Sequence, residues 1–308
     1  GATVGWTPSS DIVNALEPVA PTIQKAIFGY GKTSSDVSLT NLVNSSGVVA
    51  TDVTGVGTAR NNLAASSYGG DKAIFGYGRT STQVSMTNLV NNSGVVATDV
   101  SGVGTARQSL AAASYGGDKA IFGYGTDSSL TNLVTNQGVV GNDVSGVGTA
   151  RNDLAAASYG GDKAIFGYGY YYSGGVVNYS LTNKVSNSGV VASDTTGVGT
   201  ARYLLAAAGY GGDKAIFGFG TTGSVTGLTN LVSNTGVVAS NVSAVGTARK
   251  GLAAAGYGGD KAIFGYGTTG SLTAITNLVN NSGVVASDVS GVGTAREKPA
   301  AAGFSYAS

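Results

Sequence analysis

Apolar residues in this chain come in short runs and never at helical spacing. LAAASYG (Leu110–Gly116), DKAIFGYG (Asp118–Gly125), SLTNLV (Ser129–Val134) and VVATDV (Val95–Val100) show the types. They are rich in Val, Ile, Thr, Tyr and Ala and bounded by Gly-Gly, Gly-Asp or Asn/Ser/Gly clusters such as NNSG (Asn91–Gly94), the pattern of strands joined by tight turns. The pattern predicts four short strands, A to D, in that order. Period-two alternation puts Ala120, Phe122 and Tyr124 on one face of strand B, with Lys119, Ile121, Gly123 and Gly125 on the other. A bulky face beside a face with glycine gaps lets the aromatics of one unit lie over the backbone of the next.

The four-strand pattern recurs. The lysines of KAIF stand at Lys25, Lys72, Lys119, Lys163, Lys214 and Lys261, spaced 47, 47, 44, 51 and 47 residues apart. Thr40, Thr87, Thr131, Thr182, Thr229 and Thr276 open a TN(L/K)V marker, and GTAR ends at Arg60, Arg107, Arg151, Arg202, Arg249 and Arg296. Six four-stranded units of this length predict an all-β fold, a six-bladed β-propeller, ahead of a parallel β-helix, whose coils are shorter. The ends are out of phase. The first unit starts at strand B, and Pro299–Tyr306 repeats the strand A pattern with Phe304 in the Tyr slot. The C-terminal segment is therefore expected to be the innermost strand of the first blade, which removes an unpaired edge. Residues 1–24 fall outside the repeat and 25–308 form the propeller. SSDIVNALEP (residues 9–18) is expected to form a short helix, with Ser10 as N-cap and Pro18 as stop.

GTARQSLAAASYGGDKAIFGYG (Gly104–Gly125) resembles kelch repeats in the order Arg, small apolar strand, turn, strand, variable loop. It departs from them in having Gly-Tyr-Gly for the di-glycine and in lacking the later Tyr and Trp. The near-identical Gly/Ser/Thr/Asn-rich units are also similar in style to virion and tail-associated proteins of phages. That resemblance implies an extracellular or virion setting and assembly with other virion or surface proteins.

Composition narrows the chemistry. The 308 residues contain no Cys and no His, and 17 basic against 16 acidic residues give a net charge of +1. Disulfides, thiolate metal sites and Ser-His-Asp or Cys-His catalysis are impossible. A balanced charge gives no general attraction to nucleic acid. No apolar run is long enough for a membrane-spanning helix, and residues 1–24 lack the basic and apolar regions of a secretory signal. GYGKT (Gly29–Thr33) is a fragment of a phosphate loop only, with Ala26 where the first glycine belongs. The reading is a non-enzyme with no metal and no cofactor.

The repeated arginines are read as a structural ring, each tying the D–A crossover to backbone carbonyls or to the strand D aspartate (Asp52, Asp99, Asp143, Asp194, Asp288; Asn241 in one copy). The copies differ in the B–C loops and just after GTAR, positions that open on one face of a propeller and suit binding. Candidate ligand contacts are Tyr170, Tyr171, Tyr172 and Tyr179 of the longest loop, with Arg79, Asp127 and Tyr203. Tyrosine offers broad amphipathic contact for a protein or glycan surface. The alternative is a purely structural subunit packing in a larger assembly. An Asp-based hydrolase or lyase is the remote one.

Overall fold

The computed structural model describes residues 24–243 and 245–304. The expected N-terminal helix lies outside them. The described chain is all-β, with no helix and with six small antiparallel sheets of three strands, five from consecutive residues and one joining Lys25–Gly29 and Thr40–Val43 to Ala300–Phe304. The B strands are Lys25–Gly29, Lys72–Gly76, Lys119–Gly123, Lys163–Gly167, Lys214–Gly218 and Lys261–Gly265. Each lies between an A strand and a C strand. The A strands are Ala64–Tyr68, Ala111–Tyr115, Ala155–Tyr159, Ala206–Tyr210, Ala253–Tyr257 and Ala300–Phe304. The C strands are Thr40–Val43, Thr87–Val90, Thr131–Val134, Thr182–Val185, Thr229–Val232 and Thr276–Val279.

The A partner of Lys25–Gly29 is Ala300–Phe304, in register from Lys25↔Phe304 to Gly29↔Ala300. The A strands neighbour one another in chain order, and Ala300–Phe304 packs beside both Ala253–Tyr257 and Ala64–Tyr68. We number the sheets one to six by their B strands.

Strand D does not form as a continuous strand. In sheet two its isolated bridges to strand C fall at Val90↔Val96 and Thr87↔Val100. Two residues of C (Asn88, Leu89) thus face three of D (Ala97, Thr98, Asp99), which is the count of a β-bulge. The extra residue lets the Asp99 carboxylate accept hydrogen bonds from Asn88 and from Thr58. The preceding turn is closed by Asn91, whose Oδ1 accepts from the amides of Ser93 and Val95.

Successive sheets meet through aromatic and glycine faces. Phe75 of sheet two lies against Gly29 of sheet one, where a Cβ would come 2.7 Å from its Cζ. The same contact joins Gly76 to Phe122, Gly123 to Phe166, Gly167 to Phe217, Gly218 to Phe264, and Gly265 to Phe28. The Phe, Ile and Ala of each B strand are fully buried. Such burial stabilises by roughly 1.5–3 kcal/mol for each large apolar side chain.

The expected orientation of Tyr124 is corrected. Alternation placed it with Ala120 and Phe122, but it points with Ile121 toward the following sheet, where it meets Phe166 at 5.1 Å. The cause is local backbone. Tyr30, Tyr77, Tyr124, Tyr168, Phe219 and Tyr266 all take φ between 62° and 67°. This left-handed conformation breaks the strand alternation at its last step, at a cost of order 1 kcal/mol or more for each bulky residue.

The pairing of chain ends is testable. Phe304 is fully buried, and Phe304→Ala is expected to lower stability by about 3–5 kcal/mol in denaturant titration. Removal of residues 299–308 is expected to cost more. An unchanged unfolding midpoint after that truncation would show that the pairing carries no weight.

Candidate functional site

The Gly-Tyr-Gly tripeptide and the GTAR motif are parts of one junction. The guanidinium of Arg60 stacks 4.3 Å from the ring of Tyr30 in the preceding sheet. It donates from Nε to the Tyr77 carbonyl, from Nη1 to the Thr58 carbonyl and from Nη2 to Asn88 Oδ1 at 2.7 Å. The Tyr30 hydroxyl donates back to the Val56 carbonyl. Arg107, Arg151, Arg202, Arg249 and Arg296 stack in the same way on Tyr77, Tyr124, Tyr168, Phe219 and Tyr266. All six arginines are at most 1% exposed, so they join sheets and are not offered to a ligand.

The strand D aspartates close the junction from outside. Asp143 accepts from Thr105, from Asn132 and, at 3.4 Å, from Arg107. Burial alone would raise these carboxyls. Hydrogen bonds from the threonine and asparagine, helped by the arginine charge, more than reverse it and hold Asp52, Asp99, Asp143, Asp194 and Asp288 below their ordinary value. In sheet five Asn241 fills the slot, accepting from the Thr200 amide and donating to its hydroxyl.

The variable segments do meet at one end of the sheets. In five of the six copies the residue after GTAR bridges the residue after Gly-Tyr-Gly or Gly-Phe-Gly: Asn61 with Arg79, Asn152 with Tyr170, Tyr203 with Thr221, Lys250 with Thr268, and Glu297 with Lys32; in the sixth, Gln108 meets Thr126 through the threonine hydroxyl. The long loop of sheet four is a hairpin, Tyr170–Tyr172 paired with Val176–Asn178. Tyr170 is half-buried and packs against Tyr203 of sheet five, ring to ring at 4.9 Å. Burial, with Asp153, Asp127 and Tyr203 nearby, pushes its phenol up to about 12. Asn152 Nδ2 donates to Asp127 at 2.6 Å, which brings Asp127 into the same cluster. Tyr171 and Tyr179 are half-buried. Tyr172 is 61% exposed, and Val176 and Val177 beside it are 53% and 43% exposed. Arg79 is exposed but belongs to sheet two, with sheet three between it and this cluster.

Two features at the A strands carry no repeated motif. At the variable-loop end, Asn62, Ser109, Asp153, Leu204, Gly251 and Lys298 all have φ between 47° and 61°. They are chained by backbone bonds from Ser109 to Asn62, Asp153 to Ser109, Leu204 to Asp153, Gly251 to Leu204, and Lys298 to Gly251, of 2.6–2.9 Å. Only a space of about 80 Å³ remains there. Burial raises the Asp153 carboxyl, against a hydrogen bond from Ser109 and the charge of Lys298. The signal for this chain of bonds was the second variable residue after each GTAR. At the opposite end, beside the A–B hairpins, a cavity of about 460 Å³ is lined from all six A strands, Ser67, Ser114, Ser158, Gly209, Gly256 and Gly303 among them.

Among the described residues no cluster of three acidic side chains could hold a metal, and no helix is long and apolar enough to cross a membrane. No protein-family model matches the chain, and no curated protein is similar to it.

Two outcomes follow from the junction. Arg107→Ala leaves Asn132 Oδ1 and the Tyr124 carbonyl without a donor at a buried site and is expected to cost about 2–6 kcal/mol, roughly 1–3 for each acceptor. In acid, the five depressed carboxylates contribute stability that is full above the unfolded aspartate value of 3.8 and is lost as pH falls through their lower folded values. Thermal melts from pH 6 to pH 2 should show this loss, shallower in Asp99→Asn and steeper in Asn241→Asp. The same acid dependence in Asp99→Asn as in the parent would remove the carboxylates from the account.

Proposed function

We propose that the chain is a non-enzymatic binding module, a six-bladed kelch-like β-propeller that engages a protein or glycan surface through the end where B–C loops and D–A crossovers meet. Support for the ring comes from the order of A-strand neighbours and from the pairing of Ala300–Phe304 with Lys25–Gly29. The observation that carries the binding reading is the Tyr170–Asn178 hairpin. Among the described residues it is the one departure from the repeat that adds strands, and its tip presents Tyr172, Val176 and Val177 to solvent. An exposed tyrosine is the kind of anchor that carries the contact energy of interfaces, and apolar neighbours such as these valines exclude water around it. The style of the repeat, similar to that of phage virion and tail-associated proteins, makes a particle or cell surface the setting.

The hairpin divides by role. Tyr170 is a supporting group, because its ring is packed on Tyr203; Tyr172, Val176 and Val177 are the contacts. An enzymatic reading gains no support, because the repeated aspartates are occupied by threonine and asparagine donors. A structural subunit is the second reading, favoured by Val48, Val95, Val139, Val190, Val237 and Val284, each 61–65% exposed along the D edges. A concentration-dependent mass in solution would support it.

The test is the triple variant Tyr172→Ser, Val176→Ser, Val177→Ser, compared with the parent on arrayed cell-surface glycans and on intact bacterial envelopes. Stability should stay within about 0.5 kcal/mol for each exposed change. Binding should fall at least about tenfold, or 1.4 kcal/mol. Full binding by the variant would take the contact off the hairpin.

A further inference from the structure

The cavity beside the A–B hairpins holds an asymmetry that folding does not require. The fourth position of the A strand is Ser67, Ser114 and Ser158 in sheets two to four and Gly209, Gly256 and Gly303 in sheets five, six and one. Other glycines of the repeat have a reason to be glycine. Gly218 lies under Phe264, and Gly211 and Gly212 need positive φ. Gly209 and Gly256 have neither need. Their φ values are ordinary, and a Cβ there would meet its nearest neighbour at 3.4 Å, an unstrained contact. Serine occupies the same slot in three other sheets. What the glycines provide is space in a cavity of about 460 Å³, within the range of small-molecule sites.

The opposite wall is polar in a specific sense. Ser67 Oγ donates to the Gly303 carbonyl at 2.7 Å, and Ser158 Oγ donates to the Ser114 carbonyl at 2.9 Å. The proton of Ser158 being used, the 2.7 Å contact between the Oγ atoms of Ser114 and Ser158 is donated by Ser114. All three hydroxyl protons are thus consumed within the wall, and lone pairs face the cavity. The charged residues that line the cavity, Asp118, Lys214, Asp260 and Lys261, each sit in a neighbouring ion pair (Asp118–Lys119, Asp213–Lys214 and Asp260–Lys261, 2.8–3.3 Å), so the lining presents no unpaired charge to select an ion. A ligand matched to this site is neutral and compact, carries hydroxyl donors on one side and offers C–H surface to bare backbone on the other.

We propose that this cavity binds a single neutral sugar residue of hexopyranose size, its hydroxyls donating to Ser67, Ser114 and Ser158 and its C–H face resting on Gly209, Gly256 and Gly303. The site lies at the opposite end of the A strands from the hairpin of the proposed binding face and does not depend on that reading.

Saturation-transfer NMR tests it with the methyl α-pyranosides of glucose, galactose and mannose and with N-acetylglucosamine, against glucuronic acid and glucosamine as charged comparators. At least one neutral sugar should bind, and more tightly than its charged comparator. Gly209→Leu with Gly256→Leu fills the cavity and should weaken that binding at least about tenfold. Should the leucine pair fail to fold, Gly209→Ser with Gly256→Ser decides, since serine is native to this slot in three sheets; it should weaken binding measurably. The Tyr172, Val176 and Val177 serine variant should bind the sugar as the parent does. No transfer to any neutral sugar, or unchanged affinity in the folded cavity variants, would overturn the site.

Discussion

A guanidinium with no access to water has to find partners, and in this protein the search for them organises each junction. Arg60 is supplied by the crossover between two sheets. It lies on the Tyr30 ring of the sheet behind and donates to Tyr77 and Asn88 of the sheet ahead. A buried cation is costly unless its hydrogen-bonding groups are matched and it is placed over a ring face, where the attraction reaches about 2 kcal/mol when desolvated. The repeated TN, GYG and GTAR motifs are separate in sequence because they arrive from separate strands, but at Arg60, Arg107, Arg151 and Arg296 the TN asparagine and the GYG ring answer to the one charge. The left-handed Tyr30 fits the same account: only with φ at 62° does its ring turn from the Phe28 side to meet Arg60 and Phe75.

The second constraint is the bare backbone of the B strand. Phe166 occupies the place that a side chain on Gly123 would take, and the contact recurs at every junction from Gly29–Phe75 to Gly265–Phe28. Aromatic burial and glycine placement are therefore one requirement. Neither residue can vary without the other, whereas the B–C loops and the residues after GTAR meet one another mainly through backbone pairing, which tolerates many side chains, and are where the copies diverge.

Much of the fold was legible because it is dictated by strong local signals. Strands A, B and C, their turns and the glycine gaps under Phe75 or Phe122 follow from alternation and from turn chemistry repeated six times. The pairing of Ala300–Phe304 with Lys25–Gly29 was legible from phase alone. The reading failed where a side chain overrode the period. Tyr124 left its expected face because alternation presumes extended backbone to the last residue, and strand D lost its regularity to the bulge that seats Asp99. At the variable end, sequence placed Tyr170 and Tyr172 in one class, and only packing separates them. The serine–glycine division of the cavity was written as SSY, ASY, ASY, AGY, AGY and AGF. Sequence alone does not mark it, because small residues in an A strand look interchangeable until the space in front of them is seen.

The pairing of Lys25–Gly29 with Ala300–Phe304 has a consequence for synthesis. The first B strand leaves the ribosome with its inner edge bare, and its partner is the last of the six A strands to be made. In between, five other A strands of nearly the same sequence pass by, each able to offer the same ladder. Every correct hairpin is local and fast, so each of those strands is captured by its own B strand before it can stray. The bare edge waits, and at high chain concentration it meets the C-terminal strand of another copy on equal terms. The same hydrogen bonds that join one chain to itself then join chains head to tail, and slow translation or crowded expression would yield concatemers with every sheet correctly folded.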